Sequence, residues 1–213
     1  MKRGAAPDLF PLFLKLTGRR CLVVGAGAIA ESKIDSLLRA GARVTVVAPE
    51  ATGRIRRWAR GKQIVWRKRA YLPGDLGGAF LVIAATSSAA LHRDIFRQAR
   101  RAGVLCNAVD DPPNCDFYYP AVVRRGSLQI AISTGGLSPS LAARLRAELA
   151  QRFGPEYGAW VKRLWRDRTD ILRRALDPAK KRKILHRQAS AAGFKTFRGR
   201  RQIRRRYEKV TSC

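Results

Sequence analysis

The feature that most constrains this chain lies near its start. Residues 20–25 (RCLVVG) form a short apolar run that passes straight into a glycine turn, then into an Ala/Leu-rich stretch at residues 28–40 closed by Gly41. That order reads as strand, turn, helix and helix stop. The turn itself, Gly25-Ala26-Gly27-Ala28-Ile29-Ala30, fits the pattern GxGxxA. The pattern is weak in isolation but specific between a strand and a helix. Gly25 permits the tight turn, Gly27 lets a pyrophosphate approach the backbone, and small Ala30 lets the helix pack closely on the strand. The N–H groups of the helix start then face the anion. A glycine turn that binds nothing is the plainer alternative, and the strand-helix surroundings speak for a dinucleotide.

The chain continues in the same alternation. Residues 43–48 (RVTVVA) read as a second strand, 51–60 as a helix closed by Gly61, and 63–67 as a third strand. A Pro/Gly-rich loop at 73–78 precedes a fourth strand at 79–84 (AFLVIA), a helix at 88–102 stopped by Gly103, and a fifth strand at 104–109. Strands separated by helices pair in parallel, and continuous apolar strands suit a sheet covered on both faces. The pattern then changes. Residues 118–124 and 127–133 read as two strands joined by Arg125-Gly126, as in an antiparallel hairpin. After Gly135-Gly136, Ser138 is placed as an N-cap and Pro139 as the first residue of a helix running to about Phe153. Gly154-Pro155 breaks it, and residues 157–176 form another helix with Trp160, Leu164, Ile171 and Leu172 on one side. From Ala179 the charge is dense enough to suggest a loosely packed helix and a flexible end. The expected organisation is a dinucleotide-binding domain over 1–117, a hairpin-plus-helix segment over 118–153, and a helical domain with a basic tail over 154–213.

Composition narrows the function classes. In 213 residues, 46% of them hydrophobic, there is enough material for an α/β domain with a smaller appendage. No apolar run is long enough to span a bilayer, and residues 1–10 lack the apolar core of a signal peptide, so a cytoplasmic protein with no membrane partner is expected. Cys21, Cys106, Cys115 and Cys213 show no CxxC pairing; structural thiols are expected, and no metal site. With only two histidines, His92 and His186, a histidine-built metal centre is disfavoured as well, and His92 reads as a solvated surface residue beside Arg93. The net charge is +29, of which +14 falls in residues 1–150 and +15 in the much shorter 151–213. Such a field attracts polyanions, whether nucleic acid, an anionic surface or a polycarboxylate substrate, but an Arg-rich composition bias would produce it too.

Two loops carry the candidate chemistry. Ligands of open α/β sheets bind beyond the carboxyl ends of the strands. There stands Asn107-Ala108-Val109-Asp110-Asp111-Pro112-Pro113, with Asp110 directly after an apolar strand in a chain poor in carboxylates. A carboxylate beside a bound cofactor can take a proton as hydride leaves a substrate. Equally, Asp110 or Asp111 could do no more than shape the turn before Pro112. The second loop, Ser133-Thr134-Gly135-Gly136-Leu137-Ser138-Pro139, feeds a helix N-terminus, where Thr134, Gly135 and Ser138 are candidates for binding an anionic group; simple capping by Ser138 is the alternative. For the cofactor, a ribose-binding acid is expected about 20 residues after the glycines. The chain has Ala48-Pro49-Glu50, with the acid two positions late, then Arg54, Arg56 and Arg57. NAD is the preferred cofactor, and those arginines keep NADP open.

Taken in order, these pieces resemble a known family, the bifunctional precorrin-2 dehydrogenase and sirohydrochlorin ferrochelatase found alone or as the front part of siroheme synthase. The resemblance covers roughly residues 8–150. It rests on Phe10-Pro11-Leu12-Phe13, GxGxxAxxK from Gly25 to Lys33, Val46-Val47-Ala48-Pro49, Ala84-Ala85-Thr86, Cys106-Asn107 with Asp110, Cys115-Asp116-Phe117 and the loop from Ser133 to Pro139. It implies a Rossmann-type α/β fold with a parallel sheet, a following dimerisation segment and a C-terminal helical domain. It also implies NAD-dependent oxidation of precorrin-2, a polycarboxylate tetrapyrrole, to sirohydrochlorin, and in many members insertion of Fe2+, which this sequence leaves undecided. The family pattern carries the catalytic aspartate onto Asp110 and cofactor contacts onto Ala28, Ile29, Pro49 and Glu50, beside Gly25, Gly27 and Ala30. A homodimer is implied as well. Two other readings stand beside it: a dehydrogenase for another anionic small molecule, and a nucleic-acid-associated Rossmann module. Against the latter stand the intact acidic loop and the lack of aromatic residues among the cations of 198–206.

Overall fold

The computed structural model describes residues 8–199, which fall into two compact units with the boundary between Tyr119 and Pro120. The first unit is a five-stranded, fully parallel sheet: β1 (Arg20–Val24), β2 (Arg43–Val47), β3 (Ile64–Arg67), β4 (Leu81–Ala84) and β5 (Leu105–Ala108), in spatial order β3-β2-β1-β4-β5. Helices α1 (Ala28–Arg39), α2 (Gly53–Arg60) and α3 (Ala89–Arg101) make the crossovers, with a 3-10 turn at Pro73–Leu76. The sequence produces this because the strands are largely apolar, with polar residues only at Arg20, Arg43, Thr45, Arg67 and Asn107. Cys21, Val23, Leu81 and Ile83 face Ala30, Ile34, Leu37 and Ile55, whereas Leu22, Val24, Val82 and Ala84 face Ile95 and Ala99. Alternate strand residues therefore enter two separate cores, as a sheet covered on both faces requires. The expected α/β Rossmann-type sheet is present, with strand ends within two residues of those read from the sequence.

One polar anchor sits inside this framework. The Asp75 carboxylate is buried, gripped by both guanidinium nitrogens of Arg69 (2.7 and 2.6 Å), by Arg67, and by the backbone N–H of Leu72 at 2.9 Å. Hydrogen bonding from Arg69, ahead of that from Leu72 and Arg67, holds its carboxyl well below the ordinary carboxylate range despite burial. A depressed folded value contributes stability above the unfolded pKa of about 3.9, and that stability is lost as pH falls below it. Asp75→Asn is expected to lose about 2 kcal/mol at pH 7, a charged hydrogen-bond network with half-exposed arginines. In urea unfolding, the gap from the parent should narrow below about pH 4; a gap unchanged between pH 7 and pH 3 would refute the assignment.

The second unit opens with an antiparallel hairpin, β6 (Ala121–Arg125) and β7 (Leu128–Ile132), paired from Ala121↔Ile132 to Arg125↔Leu128. The first strand starts three residues later than its apolar run suggested, because Pro120 has no N–H to give the ladder. Arg125 closes the ladder instead of forming the turn. Its side chain also donates to the carbonyls of Ala150 (2.8 Å) and Phe153 (2.7 Å), capping α4 (Pro139–Arg152). Gly158, near the start of α5 (Glu156–Arg173), lies against the hairpin turn; a Cβ there would stand 3.0 Å from the Arg125 carbonyl oxygen.

Beyond α6 (Pro178–Ala189) a further helical stretch covers residues 191–199. As expected for loose packing, no described residue from Ala179 onward is buried, and a single aromatic contact stands out. Phe194 stacks on Tyr157 (centroids 4.3 Å apart) and Trp160 (4.8 Å), and its aromatic area is what ties this basic segment to α5. Leu172, expected on the packed side of α5, is instead exposed, and Ile171 is the buried one. The expected flexible end, residues 200–213, lies outside the described residues, as does Cys213. Among the described residues no helix is long and apolar enough to cross a membrane.

Candidate active site

The strand order reverses direction between β1 and β4, and ligands of such sheets bind in the crevice at that point. Gly25 is the first residue beyond β1. Its φ is +101°, and a Cβ would collide with the carbonyl of Ala85, the first residue beyond β4. Hydrogen bonds from Gly25 N to Val47 O (2.9 Å) and from Ala85 N to Val24 O (2.7 Å) draw the three strand ends together. The resemblance pieces at 25–30 and 84–86 thus meet in one place, and only glycine fits between them.

Gly27 differs. It is the N-cap of α1, has ordinary extended geometry (φ −82°, ψ −173°), offers no side-chain cap, and a Cβ there would touch nothing within 4 Å. The first-turn N–H groups of α1 are thereby left open, in contrast to α2, α3 and α4, which are capped by Thr52, Ser88 and Ser138. Ala28 and Ile29 are exposed at this mouth, while Ala30 is fully buried against the sheet. Pro49 and Glu50 are exposed just beyond β2, and Thr52 N donates to Ala26 O at 3.2 Å, joining that segment to the glycine turn. Open amides, a vacant Cβ position and a nearby acidic residue fit a dinucleotide. Arg54 is committed to Asp35 (3.2 Å) and the Trp58 ring, and Arg56 to the Ala51 carbonyl (2.7 Å), so two of the three arginines considered for a 2′-phosphate are occupied.

Asp110 stands exposed two residues past β5 with φ +59°, one of two non-glycine residues with positive φ among the described residues. Asp111 N donates to Ala108 O at 3.2 Å, so Asp110 is the third residue of a tight turn, the position at which type II turns take positive φ. Because Val24, Ala84 and Ala108 lie in register, the ends of β1 and β5 are two strand spacings apart, about 10 Å. Lys33 of α1 adds a cation nearby. Burial lowers its ammonium below the ordinary lysine value, with Asp110 and then Cys115 opposing that, and its Nζ lies 3.8 Å from the Tyr119 ring centroid. In the sequence Lys33 stands only as the last position of the GxGxxAxxK pattern, and nothing local signals its nearness to Asp110.

The other acids of this segment are structurally committed. Asp116 accepts from Cys106 N at 2.9 Å while its own N–H donates back to Cys106 O at 2.7 Å. Asn107, buried, donates to Phe117 O at 2.7 Å. Residues 115–117 therefore cover the open edge of β5, which explains why Cys106-Asn107 and Cys115-Asp116-Phe117 occur together. Burial pushes the thiols of Cys21 and Cys106 up to about 11 and about 12, and among the described residues no cluster of three or more His, Cys, Asp or Glu could hold a metal.

His92 is not the solvated residue its polarity suggested. It is 5% exposed, on the buried face of α3 with Ile95 and Ala99, a face whose spacing the sequence does contain. In the second unit, Ser138 Oγ accepts from Leu141 N (3.3 Å) and Thr134 Oγ1 from Ser138 N (3.1 Å). The capping role is thus real, and each hydroxyl keeps its own proton to donate.

Residues 12–121, just over half of the chain, match the NAD(P)-binding family model NAD_binding_7. This chain belongs to that family. Residues 125–152 match a second model, that of the sirohaem biosynthesis protein central region. Among similar curated proteins are siroheme synthase 1 of Serratia proteamaculans, 41% identical over 142 residues (67% of this chain, 30% of the relative), and siroheme synthase 1 of Yersinia enterocolitica, 42% identical over 163 residues (76% and 34%). The chain thus spans about a third of the length of these relatives. A solved structure titled SirC, precorrin-2 dehydrogenase superposes with a TM-score of 0.78 at 27% identity, covering 94% of this chain and all of that one.

Proposed function

We propose that this protein oxidises precorrin-2 to sirohydrochlorin with NAD+ in siroheme biosynthesis. The observation that carries the reading is Asp110, held by a positive-φ turn at the end of β5 beside a sheet whose glycine turn leaves α1 open to an anion. NAD+ supplies the hydride acceptor. Loss of hydride leaves the macrocycle with a proton to shed, and the Asp110 carboxylate accepts it, the Lys33 ammonium stabilising negative charge there beforehand. Gly25, Gly27, Ala28, Ile29 and Ala30 hold the pyrophosphate region, and Pro49 and Glu50 border the ribose. The hydroxyls of Thr134 and Ser138, with the N–H of Gly135, take substrate carboxylates at the start of α4. Free thiols at Cys21, Cys106 and Cys115 fit a reducing compartment, and the cytoplasm is the proposed location.

The deciding experiment is anaerobic: purified protein, precorrin-2 and NAD+, with NADH and sirohydrochlorin followed by absorbance. Stoichiometric formation of both is expected, and no NADH with precorrin-2 would overturn the reading. Adding Fe2+ afterwards reads the insertion step found in many members of the resembling family, with Fe2+ as substrate. The segment 118–153 is proposed to pair with a second copy, since its sheet has only two strands and, even with α4 packed on it, Leu137 and Leu141 remain exposed. Sedimentation at micromolar concentration should give a dimer; a monomer would refute this.

A further inference from the structure

His92 is a buried histidine that the proposed chemistry leaves without a task. Its Nδ1 lies 3.8 Å from Oδ2 of Asp111, the residue after Asp110, while its Nε2 is buried with no partner among the described residues. An apolar residue would occupy that position in α3 at lower cost, because a buried polar atom without a partner is unfavourable. The same Asp111 Oδ2 accepts from Asn114 Nδ2 at 2.8 Å, and the Asp111 carbonyl accepts from Asn114 N at 2.9 Å. Cys115 Sγ lies 3.0 Å from Ala108 O and 3.4 Å from Asp111 O.

Asp110 is thus suspended between two anchors. On one side, Val109 N donates to Ala84 O at 2.9 Å, fixing the turn to the sheet. On the other, Asp111 is held by residues of its own loop and by His92, which reaches it from a different element. A non-glycine residue keeps a left-handed conformation only where its surroundings over-determine it. We propose that His92 is a positioning residue: through Asp111 it fixes the turn that aims the Asp110 carboxylate. The contact is too long for a formed hydrogen bond and acts as an electrostatic restraint on the Asp111 carboxylate. The inference rests on Asp110 being the proton acceptor.

The test compares His92→Leu, which keeps bulk and removes both nitrogens, with His92→Asn, whose amide N–H can stand near the Nδ1 position. His92→Leu is expected to lower kcat about 10-fold, a modest misalignment of a catalytic group, with KM for NAD+ and Tm unchanged or Tm raised. His92→Asn should restore kcat to within about threefold of the parent, as retention of the donor implies. Asp111→Ala should cost about as much as His92→Leu, and the double variant no more than either, as residues acting through one contact require. Normal kcat in His92→Leu, or equal losses in His92→Leu and His92→Asn, would overturn the role. If Asp110→Ala itself turned over normally, the catalytic reading would be the one to fail. Should His92→Leu not fold, His92→Asn against Asp111→Ala decides, a fully active Asp111→Ala counting against the proposal.

Discussion

Asp110→Ala is expected to bind NAD+ as the parent does and to oxidise precorrin-2 about 10²-fold more slowly or worse, the usual worth of a positioned general base. Alanine changes two things at once, because Asp110 sits at φ +59° and aspartate tolerates that region better than alanine does. Asp110→Asn separates them. Asparagine is at ease in the left-handed region, so its turn should persist while the proton acceptor is gone. Both variants should therefore be slow, and Asp110→Asn should keep the parent Tm. Steady-state rates beside thermal unfolding check this. An Asp110→Asn enzyme with the parent's kcat would mean that the proton leaves to water or to another group. Asp111→Ala should fall far short of the same loss, since its carboxylate is turned toward Asn114 and His92.

Gly27→Asp is expected to separate cofactor affinity from stability. A Cβ at residue 27 meets nothing within 4 Å, and aspartate is among the best N-cap residues, so α1 should gain a few tenths of a kcal/mol in the absence of cofactor. The same carboxylate would stand where a pyrophosphate must approach open amides. Like charges held together cost several kcal/mol, so NAD+ affinity should drop about 10²-fold or more. Calorimetric titration and thermal unfolding of one preparation give both numbers. Unchanged affinity would remove the glycine turn from the cofactor site. Gly25→Ala makes the contrast: its Cβ would collide with Ala85 and its φ is +101°, so it should damage the fold before any ligand is considered.

Much of the first unit was legible because its signals are local. Five apolar runs, each followed by a helical stretch or a turn and most helices stopped by glycine, dictate parallel strands. The GxGxxA turn names the strand that borders the crevice. Boundaries slipped where a single residue intervened, as at Pro120, whose missing N–H delays β6. The glycine turn at Gly25 and Gly27 directly after β1, and the carboxylate just past β5, both follow from spacing and turn chemistry within a few residues.

Polarity alone misplaces His92, whose helical spacing puts it on the buried Ile95–Ala99 face of α3. The nearness of Lys33 to Asp110, and the stacking of Phe194 on Tyr157 and Trp160, had no local signal at all. The sequence by itself determined the succession of elements, the two-sided core and the glycine turn between β1 and α1, since helical period, strand apolarity and glycine's freedom act over a few neighbouring residues. Only the tertiary structure decided that His92 is buried against Asp111, that Asp116 closes the β5 edge and leaves Asp110 exposed, and that Asp110 holds a left-handed turn. Those outcomes depend on groups brought together from distant positions in the chain, where packing and burial, not local preference, set the free energy.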